Sequence, residues 1–148
     1  MLNLAWHIPA EWLSSRTQPR TIVEAAKIAS DAVSTGKGRN INYSSIPLLL
    51  HQTWKTRRAD TWPEDICVAV EKWLNYVISD NMAYFFWEDS GINQMVTQLE
   101  PGFLKHFTEL PSNVERADVF RVLVLKWFGG IVSADYSEGR FICSCIES

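Results

Sequence analysis

Arg116, Asp118 and Arg121 set two guanidinium groups and a carboxylate just ahead of an apolar run, Val122 to Phe128. That run is broken only by Lys126 and closed by Gly129-Gly130. Asp118 and Arg121 are three apart, so on a helix they share one face and can hydrogen-bond each other or reach a ligand together. A planar guanidinium fork makes two charge-assisted hydrogen bonds to a phosphate, which suits Arg121 to a diphosphate. The same spacing also describes a surface ion pair on a helix with a glycine stop. Spacing alone favours that reading, because exposed pairs are common and weak. Gly129 suits the left-handed residue that ends a helix, and Gly130 lets the next segment start close to whatever binds there.

A second polar group, His51-Gln52-Thr53, ends a short apolar run that follows Pro47. Leu48 to His51 is predicted as a buried parallel strand. Ligands of open α/β sheets collect at the carboxyl ends of such strands, which is where these three side chains would lie. His51 taken alone reads as a satisfied structural histidine.

Arg116-Ala117-Asp118, Arg121 and Gly129-Gly130 together resemble the signature of glycosyltransferases with a DXD sugar-binding motif. More narrowly they resemble glycosyltransferase family 32, the fungal initiating α-1,6-mannosyltransferase group. Upstream, Ile46-Pro47-Leu48-Leu49-Leu50-His51-Gln52-Thr53-Trp54-Lys55-Thr56 resembles the opening strand of that family. The likeness runs from Ile46 to Ile131. It implies transfer of mannose from GDP-mannose to a glycan or glycolipid acceptor with retention at the anomeric carbon, with Mn²⁺ as the ion and a Golgi membrane location. It also implies a donor site. Asp118 and Arg121 would hold the sugar and diphosphate with Arg116 in support, His51, Gln52 and Thr53 would border the nucleotide, and Gly129 and Gly130 would permit close approach. A ceramide-linked inositolphosphate sugar transferase is the near competitor within the family, and Trp62-Pro63-Glu64 with Val70 to Trp73 favours the α-1,6 side.

Members of that family keep an Asp-x-Asp just beyond the glycines. One carboxylate binds a divalent ion, the other helps hold ion and sugar, and the ion neutralises the diphosphate leaving group. At those two offsets this chain has Ala134 and Tyr136, and it has Val132 where the family has tyrosine. Asp135 falls between the two, and on a strand a shift of one residue turns a side chain to the opposite face. Asp135 is the remaining candidate ligand, and no intact metal site is expected. The alternative is a catalytically inactive product that at most binds a nucleotide or a partner. Val132-Ser133 can be encoded by GTA-AGT, which reads as an intron donor, so residues 132–148 are read as an atypical tail, with intron read-through or a mis-predicted exon as the hypothesis for its origin.

The 148 residues are 47% hydrophobic, enough for one core. A net charge of −3 argues against a nucleic-acid binder built on phosphate contacts. Lys55, Arg57 and Arg58 form a small basic cluster that reads as a solvated loop. Three cysteines, Cys67, Cys143 and Cys145, define no disulfide framework, and His7, His51 and His106 are too scattered for a zinc site. No stretch reaches the roughly 18 apolar residues of a transmembrane helix. Taken as it stands, the sequence therefore suggests a cytosolic chain, against the Golgi membrane of the resemblance.

These groups need a scaffold, and the sequence outlines one. Residues 1–44 read as a loosely ordered arm to Arg20, an amphipathic helix over Thr21 to Thr35 stopped by Gly36, and a linker. Residues 45–131 read as a partial glycosyltransferase domain. In it a helix capped by Thr61 runs to Ile78, a strand spans Ala83 to Trp87, and Glu88-Asp89 makes a turn and cap. Short helices follow over Ser90 to Leu99 and Pro101 to Phe107, and Leu110 to Asn113 caps the helix that carries Asp118. The expected fold class is α/β, the N-terminal half of a Rossmann-like GT-A nucleotide-sugar fold, incomplete.

Overall fold

Apolar strands flanked by amphipathic helices fold into an open mixed α/β sheet in the computed structural model, which describes residues 5–14, 18–54, 58–135 and 141–146. In chain order the elements are β1 (Trp6–His7), α1 (Ile22–Ser34), β2 (Leu49–Thr53), α2 (Glu64–Asp80) and β3 (Ala83–Trp87). After them come α3 (Asp89–Leu99), α4 (Leu104–Thr108), α5 (Asn113–Phe128), β4 (Gly130–Asp135) and β5 (Phe141–Ile146). The sheet order is β1-β3-β2-β4-β5, with β3, β2 and β4 parallel and the outer two strands antiparallel to their neighbours. The chain leaves central β2 for β3 on one side and returns to β4 on the other. The connection therefore reverses direction between β2 and β4, and their carboxyl ends frame the crevice where ligands of open α/β sheets bind.

Alternation along the strands sorts the core into two layers. His51, Phe85 and Trp87 face one side, where their rings meet each other and Phe120 and Phe128 of α5. Tyr84 and Phe86 face the other, with Gln52 and Trp62 against them. β2 and β3 are almost wholly buried, as central parallel strands covered on both faces must be. α1 turns Ile22, Val23, Ala25, Ala26, Ala29 and Ala32 inward. Its small residues let the helix lie close against β3, α3 and α5.

Helix ends follow local chemistry. Thr21 caps α1 by accepting from Glu24 N–H at 3.2 Å, and Ser112 caps α5 by accepting from Glu115 N–H at 3.2 Å. Thr61 does not cap α2 as its sequence position suggested. It lies in a short 3-10 turn, Ala59–Thr61, with its hydroxyl donating to Arg58 O at 2.7 Å, and the cap position belongs to Pro63. α2 runs to Asp80, and Asn81 follows in the left-handed region at φ 57°.

Two segments are more ordered than their sequence suggested. In the stretch read as a loose arm, β1 pairs with β3 and Trp12 is buried. In the stretch read as an atypical tail, Val132 to Asp135 continue β4 and residues 141–146 form β5. The Golgi membrane location is corrected: among the described residues no helix is long and apolar enough to cross a membrane. The longest, α2, has 17 residues and carries Glu64, Asp65, Glu71, Lys72 and Asp80.

Candidate functional site

At the carboxyl end of β2, register places Gln52 beside Ser133 and Thr53 beside Ala134 on β4, and Thr53 beside Trp87 on β3. Trp87 O accepts from the Thr53 hydroxyl at 3.0 Å and from Trp54 N–H at 3.2 Å. A cleft of about 20 Å³ lies under this edge between the sheet and α2, lined by Gln52, Thr53, Trp54, Val70, Phe86 and Ser133. That is room for about one water. A nucleotide or sugar would have to lie over the edge. Among the described residues the buried Trp54 indole N–H meets no acceptor, a defect of about 1–3 kcal/mol in a folded protein.

His51 has no solvent exposure. Its Nε2 lies 3.0 Å from Gly129 O, and Trp87 Nε1 donates to its Nδ1 at 3.1 Å. A carbonyl only accepts and an indole only donates, so these partners fix the neutral tautomer with the proton on Nε2. Burial pulls the imidazole down to about 4, partly offset by the bond to Gly129 O. His51 therefore joins β2, β3 and the turn into β4, with both ring nitrogens engaged inside the protein. Gln52 is similarly engaged, accepting from the Tyr84 hydroxyl at 2.8 Å, and burial raises the Tyr84 phenol above its ordinary range.

The glycines serve the same framework. Gly129 ends α5 at φ 69°, ψ −169°, a region essentially reserved for glycine. Gly130 has φ 99°, and a Cβ there would lie 2.4 Å from Leu49 O. Gly130 permits a close approach to Leu49 of β2.

On α5, Arg116 donates to Leu110 O at 2.7 Å and to Asn113 Oδ1 at 2.5 Å, which ties the helix to the loop before it. Asp118 and Arg121 form an ion pair. The Arg121 side chain is 15% exposed and that of Asp118 49%, and desolvation lowers the Arg121 pKa. Phe120, between them in sequence, is buried against Trp87 with ring centroids 5.4 Å apart, which places this turn by the carboxyl end of β3. The eight expected donor residues thus split. Asp118 is exposed and Thr53, Arg116 and Arg121 are half-buried, whereas His51, Gln52, Gly129 and Gly130 are buried.

Asp135 is the last residue of β4, opposite Phe141 on β5. Tyr136, Lys55 and Arg57 lie outside the described residues, and Arg58 pairs with Asp60 at 3.2 Å on the surface. Among the described residues no group of three or more His, Cys, Asp or Glu could hold a metal ion. Ala134 stands beside Thr53 where the first acid of the pair is expected, and it offers no ligand for Mn²⁺. Sequence reasoning missed Trp87 and Tyr84 as partners of His51 and Gln52. The unbroken aromatic run of Tyr84 to Trp87 was the available signal, but the pairing needs the register of β2 on β3.

Glu88 occupies the cap position of α3 and accepts from the Ser90 hydroxyl at 3.3 Å. It also lines a larger cavity of about 390 Å³ on the β1 side of β3, with Trp6, Arg20, Thr21 and Gln94.

The mixed sheet has its crevice between parallel strands β2 and β4. Residues 63–133 match the glycosyltransferase sugar-binding region containing the DXD motif. This segment is similar to DXD-type glycosyltransferase regions, and the open mixed sheet is consistent with part of a GT-A-like fold. The chain is homologous to fungal mannosyltransferases. It is 33% identical over 88 residues to inositol phosphoceramide mannosyltransferase 3 of Schizosaccharomyces pombe, covering 60% of this chain and 23% of that protein. It is 35% identical over 85 residues to inositol phosphoceramide mannosyltransferase 2 of the same yeast, covering 57% and 23%. To mannosyl phosphorylinositol ceramide synthase CSH1 of Saccharomyces cerevisiae it is 31% identical over 86 residues, covering 58% and 22%. The chain thus spans about a quarter of the length of these curated relatives. No solved structure matches it. These relatives carry ceramide-linked names, and the matches do not single out the α-1,6 group.

Proposed function

We propose that residues 45–131 are the donor side of a mannosyltransferase that takes mannose from GDP-mannose to a ceramide-linked inositol phosphate, with retention at the anomeric carbon. The observation that carries this reading is the half-exposed Asp118 and its partner Arg121 on α5, within the segment matched to the sugar-binding region. On this reading Asp118 accepts hydrogen bonds from sugar hydroxyls, and the Arg121 fork turns to the diphosphate. Thr53 borders the nucleotide, and the buried residues hold the edge in shape.

A second reading is favoured by one position. Ala134 stands beside Thr53 where the first metal-binding carboxylate belongs. Without it the chain binds a nucleotide sugar, or a partner, and transfers nothing. Both readings are tested by incubating the 148-residue chain with GDP-mannose, Mn²⁺ and an inositol phosphoceramide, following GDP release and, separately, donor binding by calorimetry. Turnover abolished by Asp118→Ala is the expected result of the first reading. Binding without turnover supports the second, and absence of both removes the donor site altogether.

A further inference from the structure

One Asn-x-Ser/Thr triplet occurs in the sequence, Asn42-Tyr43-Ser44. With a residue other than proline in the middle, such a triplet is the acceptor signature for asparagine-linked glycosylation, provided that it lies on an accessible loop. The fold meets that condition. Residues 39–41 and 46–48 form a short antiparallel stem, in which Ile41 N–H donates to Ile46 O at 2.7 Å, Leu48 N–H donates to Arg39 O at 2.8 Å, and Asn40 bridges to Pro47. Asn42 and Tyr43 are the central residues of the turn at its tip, closed by Ser44 N–H donating to Ile41 O at 3.1 Å.

The tip faces outward. Asn42 is exposed, and Tyr43 is 108% exposed at φ 61°, a left-handed conformation uncommon for a bulky residue. The Ser44 hydroxyl holds the turn by donating to Ile41 O at 2.8 Å and accepting from Ile46 N–H at 3.2 Å. The loop leads into the amino end of β2, so it lies at the opposite end of the parallel strands from Thr53. A bulky group at Asn42 leaves the carboxyl edge open.

We propose that Asn42 accepts an asparagine-linked oligosaccharide. The co-reactant is a lipid-diphosphate-linked oligosaccharide. The Asn42 amide nitrogen bonds to C1 of its reducing-end sugar, and the bond from C1 to the diphosphate oxygen breaks. The lipid diphosphate leaves with the electron pair, and the amide loses one proton. No residue of the candidate donor site takes part, so this modification stands or falls separately from the transferase reading.

The test expresses the full chain behind a cleavable secretion leader in a eukaryotic host and compares gel mobility before and after peptide-N-glycosidase. The expected result is one discrete retarded band that collapses on enzyme treatment. It is abolished in Asn42→Gln and Ser44→Ala and retained in Ser44→Thr, which keeps the hydroxyl. Asn42→Gln leaves both Ser44 hydrogen bonds intact, so it decides the matter even if Ser44→Ala disturbs the turn. An unshifted parent chain, or a shift that persists in Asn42→Gln, overturns the proposal.

Discussion

His51 on β2 and Arg121 on α5 are both basic residues of the candidate site, yet the fold uses them in opposite ways. The imidazole has lost all contact with water and has both nitrogens bonded inside the protein. The guanidinium keeps some exposure, and its counter-charge Asp118 is half in solvent. The strand residues are thus the frame, and the first turns of α5 carry the groups left able to meet a ligand. The contrast has a simple cause. A central parallel strand is covered on both faces, so a polar side chain there must be satisfied internally, whereas a covering helix always keeps one wet face.

Replacing His51 by leucine gives the largest effect. It strands the Trp87 indole N–H and Gly129 O, two buried groups that each cost about 1–3 kcal/mol when unpaired. Equilibrium denaturation should show a loss of roughly 3–5 kcal/mol. A loss under about 1 kcal/mol would mean that the ring is not part of the frame.

Acid should probe the same network somewhat more gently. The folded imidazole titrates at about 4 against 6.5 in the unfolded chain, so between those values the unfolded state binds the extra proton. Stability from this group is whole above 6.5, falls as pH drops toward 4, and levels off below. The integrated loss is about 3 kcal/mol. Denaturation curves across this window, with His51→Leu as reference, isolate it: a parent slope no steeper than that of the variant would sink the assignment.

How much of this was legible beforehand depended on whether neighbours in sequence or neighbours in space decide. The aromatic run Ala83 to Trp87 announced β3 to the residue, and Ser112 announced the start of α5, because propensity and capping are local. The use of Gly130 was not legible. Its missing Cβ makes room for Leu49, far away in sequence and adjacent only once β2 and β4 are in register. The role of His51 stayed ambiguous for the same reason, since its partners Trp87 and Gly129 come from two other elements. Thr61 misled because a threonine before Trp-Pro-Glu looks like a cap, while the 3-10 turn behind it takes its hydroxyl. Trp12 lies in a segment without period, and it is buried among tertiary contacts of residues that follow it in the chain.

Asp118→Asn tests the contrast from its other side and should move stability least. The pair is partly exposed, and pairs in such settings contribute about 0–1 kcal/mol, so the denaturation midpoint should scarcely change. Binding should respond quite differently. If the carboxylate receives sugar hydroxyls, its loss removes charged hydrogen bonds of about 1.5–3 kcal/mol, a roughly tenfold to hundredfold fall in donor affinity by calorimetry. A variant as destabilised as His51→Leu would place Asp118 in the frame as well, and the division between strand and helix would dissolve. Unchanged stability together with unchanged affinity would leave the division standing but move the donor away from α5, toward the carboxyl edge at Thr53.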